Sequence, residues 1–177
     1  PDTVTRGGAD ATGTLGNAGT ASITDDELPP TVWVIRLTAA GTEGEVLRDG
    51  TDNGVFDPVI FAPLTPFNLV DPLVVNGDAG NQNDRFIVDF VNGNPIPAGG
   101  LTIDGGDETS GDSLEIVDTD GVSPFTFDSV VYTSTGVDSG TIVIDDGVMV
   151  PTRTITYAEL EPVLDTVAAV DRTFTIN

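Results

Sequence analysis

The sequence predicts an all-β fold, built as a parallel β-solenoid-like stack of short strands, with an antiparallel β-sandwich as the alternative. The first observation is a repeat. Leu73-Val74-Val75-Asn76-Gly77, a polar loop and Asp84-Arg85-Phe86-Ile87-Val88 are matched 28 residues later by Leu101-Thr102-Ile103-Asp104-Gly105, a second polar loop and Asp112-Ser113-Leu114-Glu115-Ile116. A third copy is expected at the same spacing, with Val131 under Ile103 and Ile142-Val143-Ile144 under Leu114-Glu115-Ile116. A fixed period of this size marks stacked units that bury their apolar faces against their neighbours. The second observation is the connection between the first two copies, Val91-Asn92-Gly93-Asn94-Pro95-Ile96-Pro97-Ala98-Gly99-Gly100. It is almost entirely turn formers, so no crossover helix fits there, whereas stacked coils need only turns. The third is that β-branched and aromatic runs recur between Gly and Asp turns, a pattern that suits a sandwich as well.

Each element follows from local chemistry. Residues 1–22 are rich in Gly, Thr, Ala and Asn, with a short strand expected over Thr20-Ala21-Ser22-Ile23-Thr24. These residues carry too few large apolar side chains to build a core, so the strand is expected to be ordered by pairing with the body of the chain or with an adjacent subunit. Pro29-Pro30 stiffens the chain and sets the expected boundary between an N-terminal unit, 1–30, and a β-repeat domain, 31–177. Val32-Trp33-Val34-Ile35-Arg36-Leu37 reads as a buried strand, and Glu45-Val46-Leu47 as a short one. Val55 to Phe61 is apolar, but Pro58, Pro63 and Pro66 confine that region to an edge or an irregular crossing. Phe125 to Tyr132 and Gly140 to Asp145 read as strands. Only after Tyr157 does the period change: Leu160, Val163, Leu164 and Val167 fall at helical spacing, and Thr156 with Glu159 fits a capping box, which predicts one short helix starting near Pro162.

Composition narrows function more than it names it. Twenty-nine Asp and Glu stand against six Arg and no Lys, for a net charge of −23. Such a surface repels nucleic acid, anionic headgroups and acidic polysaccharides and draws cations. Without Cys or His there is no disulfide, thiolate ligand, cysteine nucleophile or histidine base. Schiff-base and lysine-base chemistry go with the missing Lys, as does the Lys–Asn isopeptide crosslink that strengthens some surface fibres. No apolar run approaches the roughly 20 residues that cross a bilayer. The abrupt ends, Pro1-Asp2-Thr3 and Thr173 to Asn177, read as those of a piece of a longer polypeptide.

Gly19-Thr20-Ala21-Ser22-Ile23-Thr24-Asp25-Asp26-Glu27 resembles the closing strand of a Calx-beta domain, a small-residue run followed by Ile-Thr and an acidic pair. The resemblance covers about nine residues and implies calcium near Asp25 and Asp26. Over 31–177, the runs Asn83-Asp84-Arg85-Phe86-Ile87-Val88-Asp89-Phe90, Gly93 to Gly100, Gly111-Asp112-Ser113-Leu114 and Ile155 to Val163 look like the repetitive β-rich segments of large bacterial surface and secreted proteins. That resemblance implies an extracellular, structural or adhesive role.

The loops Gly77 to Asp84 and Gly105 to Asp112 are similar to the Gly-Gly-x-Gly-x-Asp repeat of calcium-binding β-rolls, without its spacing or tandem copies. Ca²⁺ takes 6–8 hard oxygen ligands, and glycines let backbone carbonyls turn inward. Asp78, Asp84, Asp107 and Asp112 are therefore candidate calcium ligands, with Asp25 and Asp26 a second pair. The plain alternative is that Asp, Asn and Gly are what tight turns require, and the pair Asp145-Asp146 is read the same way. No catalytic residue stands out. A β-helical polysaccharide lyase would need Arg85 or Arg153 as base and would have to attract an anionic substrate to an anionic protein. The aromatics Trp33, Phe86, Phe90, Phe125, Phe127, Tyr132 and Tyr157 sit in strand-like runs, where core packing is expected rather than a sugar platform. The expected function is a structural or adhesive module, calcium-stabilised and partnered by copies of itself or by neighbouring domains. A carbohydrate-binding or carbohydrate-cleaving β-helix is the alternative.

Overall fold

The structure, a computed structural model, describes residues 2–4, 11–15, 21–25, 32–49, 64–77, 83–106, 111–120, 124–147 and 152–176. Side chains are described from Val32 onward, except at Asp49, Leu64 and Thr65. The chain enters with β1 (Asp2–Val4), β2 (Ala11–Leu15) and β3 (Ala21–Asp25), then β4 (Val32–Leu37), β5 (Gly44–Asp49) and β6 (Leu64–Phe67). Next come β7 (Leu73–Asn76), β8 (Arg85–Asp89), β9 (Leu101–Asp104) and β10 (Ser113–Val117). Last are β11 (Thr126–Ser134), β12 (Gly140–Asp145), β13 (Arg153–Ala158), β14 (Val163–Asp165) and β15 (Ala168–Ile176). The fold is all-β.

The strands form two mixed sheets. One has nine strands in the order β1-β2-β3-β7-β9-β13-β12-β11-β15, and the other six in the order β14-β10-β8-β4-β5-β6. Within each runs a parallel ladder, β3-β7-β9-β13 in the first and β4-β8-β10-β14 in the second. The chain therefore alternates between sheets, and each traverse lies beside the one before.

Alternating side chains explain the register. In β7 and β9, Leu73, Val75, Leu101 and Ile103 point inward and are 0–1% exposed, while Val74 and Thr102 point out. Parallel pairing puts like on like: Leu73, Leu101 and Ile155 share one row, and Trp33, Phe86, Leu114 and Val163 another. These rows meet between the sheets in a single core, to which β11 and β12 add Phe127, Val130, Ile142 and Ile144. Each such side chain contributes roughly 1.5–3 kcal/mol on burial, and a one-residue slip would turn a whole row to solvent. Trp33 and Phe86 stack along the ladder, 6.5 Å apart and 3° from parallel. The strand Val32–Leu37 is buried on both faces, as its composition predicts, with Val32, Val34 and Leu47 forming a small cluster opposite the core. Of the two partners expected for Ala21–Thr24, the structure supplies the body of this chain, through β7.

Two expectations are corrected. The third 28-residue copy does not form, because Val131 lies in β11, three positions from β9 in the sheet, and Ile142–Ile144 lie in β12, in the sheet opposite β10. The reason is the connection after β11. Thr135 N–H donates to Ser139 O at 3.0 Å, closing a tight turn that reverses the chain, and a tight turn can join only antiparallel strands. The next parallel traverse comes later, with Ile155 beside Leu101 and Val163 beside Leu114.

The short helix expected to start near Pro162 is also absent. Thr156 lies mid-strand in β13, Glu159 takes a left-handed φ of 57°, and β14 follows. Leu160 and Val167 are buried while Leu164 is half exposed. Their helical spacing comes from loop residues that turn inward on either side of a three-residue strand.

Candidate functional site

The repeated corner between the sheets carries two of the sequence-predicted acids, Asp84 and Asp112. The chain leaves β7 at Gly77 and rejoins the second sheet at Asp84; it leaves β9 at Gly105 and rejoins at Asp112. Both aspartates are buried, at 1% and 2% exposure. Asp112 Oδ1 accepts a 2.6 Å hydrogen bond from the Asp84 amide, so the carboxylate of one traverse holds the backbone of the one before. The backbone repeats the stitch: Ser113 N–H donates to Asp84 O, and Glu161 N–H to Asp112 O.

The glycines fit the same corner. A Cβ at Gly77 would lie 2.4 Å from Gly105 O and 2.8 Å from Asp84 Oδ2, and one at Gly105 would lie 2.3 Å from Glu159 O and 2.6 Å from Asp112 Oδ2. Only glycine leaves room for the aspartate and the neighbouring carbonyl together. Gly77 N–H donates to Asp104 O and Gly105 N–H to Ala158 O, which closes the first ladder at this point.

Asp84 and Asp112 are thus brought to equivalent places on adjacent traverses. Asp25 lies in β3, and its carboxylate is outside the described side chains; Asp26, Asp78 and Asp107 are outside the described residues. Among the described residues there is no group of three or more Asp or Glu placed to hold a metal ion.

Five other described aspartates and one asparagine bond to their own backbone. Side-chain oxygens of Asp89, Asn94, Asp104, Asp118, Asp145 and Asp165 accept the amide two residues on, at Val91, Ile96, Gly106, Asp120, Gly147 and Val167. This turn needs a carboxylate or amide one methylene from the backbone, and the chain has 22 Asp against 7 Glu. Asp89 also accepts the amide and hydroxyl of Thr119, and buried Asp146 accepts from Asn94 Nδ2 at 2.9 Å.

The arginines named for catalysis are placed as follows. Arg85 makes a bidentate pair with Glu115, at 2.6 and 2.7 Å, across β8 and β10 on the outer face. Arg153 is 5% exposed at the start of β13.

One cluster escaped the sequence reading. The Tyr132 hydroxyl donates to Asp165 Oδ2, and Arg172 Nη2 lies 3.2 Å from the same oxygen. Loss of water around the half-buried ring, then the hydrogen bond and negative charge of Asp165, hold the phenol well above its ordinary range, while Arg172 pulls the other way. Phe174 stacks on Tyr132 at 4.7 Å yet stays largely exposed. The three polar residues sit on β11, β14 and β15, and no local motif links them.

Compared with protein-family models, curated proteins and solved structures, the chain matches none. Among the described residues no helix is long and apolar enough to cross a membrane.

Proposed function

We propose that this chain is a short parallel β-solenoid serving as a structural or adhesive module of a large extracellular surface, fibre or matrix protein. The observation that carries the reading is the in-register parallel pairing of successive traverses, Leu73–Asn76 beside Leu101–Asp104 and Arg85–Asp89 beside Ser113–Val117, with Asp112 bonded to the Asp84 amide. An array of this kind presents a long, regular surface and joins readily to neighbouring units of a longer polypeptide. Its partners are copies of itself or adjacent domains, and its acidic surface is suited to a cation-rich exterior.

Calcium belongs to this reading through the loops 77–84 and 105–112. Ions bound by the folded loops and not by the open chain stabilise by mass action, by about 2.7 kcal/mol at a hundredfold excess over Kd. Melting the protein in EDTA and in millimolar Ca²⁺ at matched ionic strength tests it. A higher midpoint with Ca²⁺ is expected; coincident midpoints would leave the acids as turn formers and remove calcium from the proposal.

The rival is a carbohydrate-binding or carbohydrate-cleaving β-helix, favoured only by the exposed Phe174 beside Arg172 and Asp165. A screen of purified protein against polysaccharides separates the two, because saturable cleavage would overturn the structural reading.

A further inference from the structure

We propose that β15 is a self-complementary edge through which two copies of this chain pair antiparallel, centred on Thr173. The inference deepens the self-association in the proposed function and rests on that reading for its biological meaning. β15 pairs with β11 on one side and, among the described residues, is the last strand of its sheet on the other. Single-chain proteins blunt such edges with short strands, Pro, Lys or bulges. β15 runs nine residues without Pro, its two charges, Asp171 and Arg172, are of opposite sign, and Val170, Phe174 and Ile176 are 72%, 69% and 87% exposed.

The occupant follows from register. In a two-fold antiparallel pair that keeps both sheets in one plane, a residue faces its copy at the centre, and the partners on either side lie on the same face. Centring on Thr173 sets Val170 against Ile176, Arg172 against Phe174, Asp171 against Thr175 and Thr173 against itself. The exposed apolar ends meet, the guanidinium meets an aromatic ring, and no like charges face each other. Centring one residue earlier opposes Arg172 to Arg172, and two residues earlier opposes Asp171 to Asp171. Centring on Phe174 sets Arg172 against Ile176, a charge against an apolar side chain. One register therefore satisfies all seven positions from Val170 to Ile176. With −23 on each copy, pairing should strengthen as salt shortens the screening length from about 30 Å at 0.01 M to about 8 Å at 0.15 M.

The natural chain has no Cys, so Thr173→Cys is a clean probe. Cα atoms opposite each other in antiparallel strands are about 4.5–5.5 Å apart, within the span of a disulfide. With oxidised glutathione, Thr173→Cys should form a covalent dimer at least tenfold faster than Val137→Cys, which is 92% exposed in the β11–β12 turn. Ile176→Asp in the wild-type background should weaken dimerisation at least tenfold in sedimentation, with an unchanged circular dichroism spectrum. Equal crosslinking rates, or a wild-type monomer at every concentration in 0.15 M salt, would overturn the pairing. Larger oligomers without a Thr173→Cys dimer would also overturn it, while leaving the structural-module reading intact; saturable polysaccharide cleavage would remove that reading whatever β15 does.

Discussion

The traverses β7–β10 and the meander β11–β13 use the same alternating strands to opposite ends. In the traverses, partners lie far apart in sequence, and the Asp112 carboxylate reaches the Asp84 amide across 28 residues. In the meander they are neighbours, and the turn at Thr135–Ser139 sets the register. A hairpin fixes its register through its turn, whereas parallel traverses must fix theirs through buried rows and corner contacts. The corner glycines and aspartates carry in one region what a few turn residues carry in the other.

The largest test sets one corner against one turn. Gly105→Ala drives a Cβ to 2.3 Å from Glu159 O and should cost about 3 kcal/mol, read as a lower urea midpoint with an unchanged m-value. Gly136→Ala, in the β11–β12 turn, meets nothing closer than Ser139 Oγ at 3.4 Å and should stay within about 0.5 kcal/mol. Equal losses would show that corner and turn are equally tolerant.

A smaller effect is expected where the two regions join. Tyr132→Phe removes the hydroxyl that bridges the meander to Asp165 in β14 and should cost about 1.5 kcal/mol at pH 7. The folded phenol is raised above its ordinary value near 10, so its contribution is complete below about pH 10 and is lost as pH rises towards the folded value. The gap between wild type and variant should therefore narrow in urea titrations above about pH 10. A constant gap would mean that the hydroxyl is not bound to Asp165 in solution.

The smallest effect belongs to the outer face of the traverses. Glu115→Gln breaks the fork with Arg85, but Arg85 is 44% exposed, so the loss should stay below about 1 kcal/mol and shrink further in high salt. A larger loss would mean that the outer face helps fix the register.

Much of the traverses was legible in the sequence because two buried rows recur at one spacing, and the inward residues of Leu73–Val75 and Leu101–Ile103 lie where alternation puts them. The third copy misled because Ile142-Val143-Ile144 alternates just as Leu114-Glu115-Ile116 does. Alternation reports which face is buried, not which strand lies alongside; a five-residue turn decided that. Asp84 and Asp112 were legible as a matched pair, but an oxygen suited to calcium is equally suited to an amide, and only geometry places an N–H at 2.6 Å. Tyr132, Asp165 and Arg172 were invisible as a group because three strands from separate stretches bring them together.

The row Trp33, Phe86, Leu114, Val163 loses bulk at every step. This row therefore narrows from β4 to β14, while the row Leu73, Leu101, Ile155 in the facing sheet keeps nearly one volume. Exchanging Trp33 and Val163 would overfill one end of this row and leave a cavity at the other, so the traverses are not interchangeable even though their register repeats. The parallel register repeats from traverse to traverse, while the graded row gives the ladder polarity.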